Sequence, residues 1–148
     1  MGIMKPHAMD AYAYLIGTFP IASTAISDVK QGMMCKLNTK GEIVLAGKGE
    51  KGFVVQYPNQ LPKRGMAIKN ASFIHGPFCL TVDNECFDDT QTYVIGELLY
   101  VGDNGKLTNQ KEANAIPVAR AMSLKKTINE ELKTLKIASV DKACCPTA

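Results

Sequence analysis

A chain of 148 residues with 46% hydrophobic and 21% charged side chains has the composition of one soluble globular domain, able to bury a core without staples. Its net charge of +3 is too small to argue for nucleic acid, and five cysteines exclude a full disulfide framework, so reduced thiols in a cytosolic product are expected. The charge is segregated: residues 1–70 hold nine Lys/Arg against four Asp/Glu, residues 71–110 one against six, and residues 111–148 seven against four. Such a distribution is either a solvated surface pattern or a basic face of one subunit set against an acidic face of the next.

The uncharged stretch 11–27 comes first. It contains Gly17, Thr18, Pro20, Ser23 and Thr24, too many polar and helix-breaking residues for a membrane span of about 20 apolar residues. Asp10 in front of it and Pro20 near its end also spoil a signal peptide. Residues 1–27 are therefore expected to form an extended N-terminal arm. Tyr12, Tyr14, Leu15, Ile16, Phe19 and Ile21 would give it an apolar surface, buried against a partner.

Next comes Gly32-Met-Met-Cys-Lys-Leu-Asn-Thr-Lys-Gly41-Glu-Ile-Val-Leu, a strand, a polar turn and a second strand. Its sibling is Gly96-Glu-Leu-Leu-Tyr-Val-Gly-Asp-Asn-Gly105-Lys-Leu-Thr, again with two glycines nine apart. A glycine-rich phosphate loop would open a helix, whereas here strands flank the glycines; Gly32, Gly41, Gly96 and Gly105 are expected to turn the chain. An apolar run follows each hairpin, Gly52-Phe-Val-Val and Ala115-Ile-Pro-Val, at an offset of 63 against 64 for the hairpins themselves. The recurrence points to two copies of one supersecondary unit.

Between the hairpins, residues 57–70 read as a long polar loop whose Lys63 and Arg64 are candidate partner contacts. Phe78-Cys-Leu-Thr-Val and Thr92-Tyr-Val-Ile read as strands. In the C-terminal region, Leu124, Ile128, Leu132 and Leu135 have helical spacing after Ser123, which allows one short helix. The alternation around Leu135 and Ile137 favours a strand at 134–138. Many short strands with regular turns describe an all-β fold, a small β-barrel or sandwich, over residues 28–140, with 141–148 as a C-terminal tail.

No catalytic constellation is legible. His7 and His75 have no nucleophile or carboxylate set beside them in sequence, and a Cys79/His75 dyad across a turn competes with a buried cysteine and a loop histidine. Cys144-Cys145 is a poor zinc half-site. The acidic stretch Asp83-Asn-Glu-Cys-Phe-Asp-Asp lacks the glycine and distal glutamate of a calcium loop. No metal, cofactor, nucleic acid or membrane is expected, and the chain does not read as an enzyme.

The order Gly32-Met-Met-Cys-Lys-Leu, Gly41-Glu-Ile, Gly52-Phe-Val-Val, Tyr93-Val-Ile-Gly-Glu-Leu-Leu-Tyr-Val-Gly-Asp-Asn-Gly-Lys-Leu-Thr and Ala115-Ile-Pro-Val-Ala-Arg-Ala-Met-Ser resembles the small decoration, or cement, proteins of tailed-bacteriophage capsids. The likeness covers about 32–137. It implies a β-tulip-like domain, a homotrimer, that is made in the host cytoplasm and carried on the capsid exterior, where it clamps neighbouring major capsid proteins. Two other classes compete with this capsid-stabilising virion protein. A small β-barrel hydrolase would need a serine or carboxylate site. A surface carbohydrate-binding module would need exposed aromatics, which the absence of Trp and the ten Phe and Tyr residues disfavour.

Overall fold

The computed structural model describes residues 4–6, 14–57, 68–75 and 78–140, with the backbone alone at 4–6, 14–17 and 75. Twelve strands follow in chain order: β1 Met4–Pro6, β2 Tyr14–Pro20, β3 Met34–Leu37, β4 Ile43–Leu45, β5 Phe53–Gln56, β6 Asn70–His75, β7 Cys79–Asp83, β8 Leu98–Val101, β9 Leu107–Thr108, β10 Ala119–Ala121, β11 Lys126–Thr127 and β12 Lys133–Ala138. They make two antiparallel sheets, one ordered β2-β6-β5-β3-β4 and the other β1-β7-β12-β10-β8-β9 with β11 beside β12. The all-β expectation holds in its sandwich form, and neither sheet closes into a barrel.

Without β1 and β11, the two sheets have the same strand order: β2, β3, β4, β5 and β6 correspond to β7, β8, β9, β10 and β12. The register agrees at corresponding positions up to the shift after Ile16 in β2. Ile16 faces Phe73 as Leu80 faces Ile137, Leu37 faces Ile43 as Val101 faces Leu107, and Val55 faces Phe73 as Ala121 faces Ile137. Even connecting bonds recur: the Gly32 N–H donates to the Val55 carbonyl (2.9 Å) as Gly96 does to Ala121 (2.6 Å). The duplication foreseen from two hairpins thus extends over five strands each. Its apolar runs match differently from the sequence reading, because Val54 opposite Met34 corresponds to Arg120 opposite Leu98, an offset of 66 and not 63.

Each hairpin is closed by its own turn chemistry. In the first, Asn38 Oδ1 accepts from the backbone N–H groups of Lys40 and Glu42 (both 2.9 Å), and Gly41 takes a left-handed φ of +78°. In the second, Asn104 (φ +57°, ψ +35°) and Gly105 (φ +69°) are both left-handed, as a two-residue hairpin turn with right-handed strand twist demands. Gly105 has a further reason to lack a side chain: a Cβ there would come within 2.8 Å of the Met34 carbonyl oxygen, on the facing hairpin.

One core lies between the sheets. Met34, Cys35, Ile43, Val55 and Phe73 of the first meet Leu80, Leu99, Leu107, Leu135 and Ile137 of the second in a single buried cluster. Phe73 packs tilted on Phe19 (5.6 Å) and Phe53 (5.7 Å), and Phe87 meets Tyr93 edge-on at 5.7 Å. Burial pushes the Cys35 thiol up to about 12.

The sheet edges are covered or blunted. Chain following β2 runs along β4, with the Ala22 N–H on the Ile43 carbonyl (3.0 Å), and chain following β7 runs along β9, where Leu107 and Cys86 join at 2.9 Å. β1 covers β7, while β2 carries a register shift between Ile16 and Phe19 and ends at Pro20, features that disfavour pairing with another chain.

Three expectations are corrected. Described parts of residues 1–27 belong to the fold: β1 and β2 are paired strands, and Ile21, Ala22 and Ala25 are buried in the core. No α-helix occurs among the described residues, so the possible C-terminal helix gives way to β11, a turn and β12. Leu124 and Ile128 face solvent there, so their helical spacing finds no core, whereas Leu135 and Ile137 insert between β7 and β10. Finally, 92–95 is not a strand, because the Glu97 carboxylate accepts from the Val94 N–H (2.8 Å) and Gly96 turns the chain at φ +91°.

Candidate interaction surface

The sequence-predicted partner residues are dispersed. Tyr12, Lys63 and Arg64 lie outside the described residues. Tyr14, Leu15 and Ile16 pair through their backbones with His75, Ile74 and Phe73 in β6. Phe19 is half-buried on Phe73, and Ile21 is 5% exposed. The turn residues Gly32, Gly41, Gly96 and Gly105 have φ of +96°, +78°, +91° and +69°.

The surface that the sequence did not advertise is at the entrance to β8. Val94 is 62% exposed, Ile95 60% and Leu124 62%, and Ile128 stands exposed on the turn between β11 and β12. Backbone and side-chain bonds bring these segments to one end of the sheet and hold them there. Gly96 bonds Ala121, Arg120 Nη1 donates to the Gly96 carbonyl (2.7 Å), and Lys125 Nζ donates to the carbonyls of Asp89 (2.7 Å) and Gln91 (2.9 Å). In the first half of the duplication the places of Val94 and Ile95 are taken by Lys30 and Gln31, 64 residues earlier. The fold accepts polar residues there, so folding alone does not require the apolar pair. Exposed apolar side chains brought to one end of a sheet in this way suit contact with another protein.

Among the described residues no chemical site is assembled. Cys79 is buried against Ala138 and Met122, and the side chain of His75 lies outside the described residues. Burial and the neighbouring Asp83 carboxylate raise the Cys86 thiol, opposite to the shift that makes a reactive thiolate. The acidic stretch after β7 is engaged in its own turns: Asp83 Oδ1 accepts from the Glu85 N–H (3.0 Å), Asp88 Oδ1 from Thr90 Oγ1 (2.6 Å), and Asp89 pairs with Lys133 (3.2 Å). No group of three His, Cys, Asp or Glu is placed to share a metal ion among the described residues.

The segregated charge is partly satisfied within the chain. Lys48 of the basic half reaches Glu112 (3.0 Å) and Asp103 (4.0 Å) across a cleft at the tip of the β8–β9 hairpin, which holds the Lys48 ammonium above its usual range. That cleft, about 300 Å³, mixes Lys48 and Lys106 with Asp88, Asp103 and Glu112, and the Gly102 N–H is spent on the Lys106 carbonyl (2.7 Å). It is not a phosphate cradle, which needs free N–H groups aimed at the anion. Set beside models of protein families, curated proteins and solved structures, the chain matches none of them.

Proposed function

We propose that this chain is a structural protein of a tailed-bacteriophage particle. In this reading it binds the outside of the assembled capsid as a homotrimer and stabilises contacts between major capsid proteins. The observation that carries this reading is the exposed apolar patch of Val94, Ile95 and Leu124, fixed at the base of the hairpin whose residues resemble the decoration proteins. Such a patch supplies a docking surface without chemistry. Each contact is small, and many copies on one shell, each held by several of them, bind far more tightly than one alone.

The test is co-sedimentation with purified capsids and measurement of oligomeric state. The wild-type chain is expected to pellet with shells at a fixed stoichiometry and to run as a trimer. Val94→Asp combined with Leu124→Asp should remain folded and stay in the supernatant. Binding that survives the double substitution overturns the patch as the docking surface. Failure of the wild-type chain to associate with any shell from its source overturns the function.

A further inference from the structure

A second concavity lies on the seam between the two halves of the duplication. The segments entering β5 and β10, Lys51-Gly52 and Pro117-Val118, are equivalent positions 66 residues apart, and both line it. Its volume is about 360 Å³, towards the small end of the roughly 300–1,000 Å³ typical of small-molecule sites. Val54, Ile74, Phe78 and Val118 form a buried apolar floor, and Val140, 41% exposed, forms part of the rim.

Lys51 stands at the opening. Its ammonium is 5.6 Å from the centre of the Phe53 ring, and it has no carboxylate partner among the described residues, whereas Lys36 is paired with Glu50, Lys48 with Glu112 and Lys133 with Asp89. An apolar slot with an unpaired cation at its mouth fits a ligand with an aliphatic tail and one negative head. The tail removes apolar floor from water, and the head meets the ammonium at the wet edge.

The geometry points to a binding site for a medium-chain aliphatic carboxylate, its chain along the apolar floor of this concavity and its carboxylate on Lys51. Its lining shares no residue with the Val94, Ile95 and Leu124 surface, so its test does not rest on shell binding.

Decanoate is the probe, with decyltrimethylammonium as the tail of the same length bearing the opposite charge. Titration into the folded chain, followed by amide chemical shifts, should give saturable changes confined to the neighbourhood of Phe53, Ile74, Phe78, Val118 and Val140 with decanoate. The cationic amphiphile should give none there. Lys51→Glu, an exposed substitution that leaves the floor intact, should weaken decanoate about fivefold or more. Val118→Trp should block the slot; if that variant misfolds, the Lys51→Glu comparison still decides. Changes scattered over the surface, equal responses to both amphiphiles, or no response at millimolar decanoate each overturn the assignment.

Discussion

Ile137 stands in the second sheet where Phe73 stands in the first: Phe73 is flanked by Val55 and Ile16, and Ile137 by Ala121 and Leu80, in the same register. Both enter the same buried cluster, so neither half has a core to itself. Phe73→Ala should cost about 3–5 kcal/mol and Ile137→Ala about 2–5 kcal/mol, each with a single cooperative transition in denaturant followed by circular dichroism. Two separate transitions would show the halves to be independent domains.

The paired glycines should not be equally sensitive. A Cβ at Gly41 meets nothing within 4 Å, so Gly41→Ala carries only the left-handed backbone cost of about 1–2 kcal/mol. Gly105→Ala adds a collision with the Met34 carbonyl at 2.8 Å and with Leu45 at 3.0 Å. Thermal melts should therefore rank Gly105→Ala well below Gly41→Ala, and equal melting temperatures would remove the close approach of the two hairpins as a constraint.

Deleting residues 1–27 should abolish folding. The truncation takes away β1, β2 and the buried side chains of Ile21, Ala22 and Ala25, and it uncovers the outer edge of β4. Dispersed amide resonances in the truncated chain would restore the view of this segment as an independent arm.

Asp88 gives a pH dependence of defined sign. The Thr90 hydroxyl, first among its partners, and the Thr90 N–H hold the carboxyl below its ordinary value of 3.8. A depressed value means stability that is fully present above the unfolded-state value and is lost as pH falls through the folded one. The difference in stability between wild type and Asp88→Ala should thus shrink below about pH 4. A difference that grows on acidification would contradict the Thr90 contacts.

Local turn chemistry made the hairpins legible: Asn38 and Gly41, and Asn104 and Gly105, are the residue types their turns require, at the spacing a hairpin imposes. The full duplication was harder to read because register, not side-chain identity, is what repeats. Ile16 answers to Leu80 and Phe73 to Ile137, so only apolarity survives, and a two-residue difference before β10 breaks the alignment. The apolar patch was hidden for a related reason. Val94 and Ile95 follow buried Tyr93 and look like more strand until the Glu97 carboxylate and Gly96 turn them outward. The burial of Ile21 escaped because its partner Ile43 is a distant edge residue, a contact no local pattern announces.

The order in which the strands are made on the ribosome sets the order in which they find partners. β2 waits for β6, and that sheet has all its strands once His75 has been added. β1, made before the other eleven strands, waits for β7, and β7 gains its inner neighbour only with β12, near residue 138. Non-local pairings of this kind are slow to form. The first sheet therefore spends much of the chain's synthesis complete in backbone pairing, with its apolar face turned to water until the second sheet arrives to cover it.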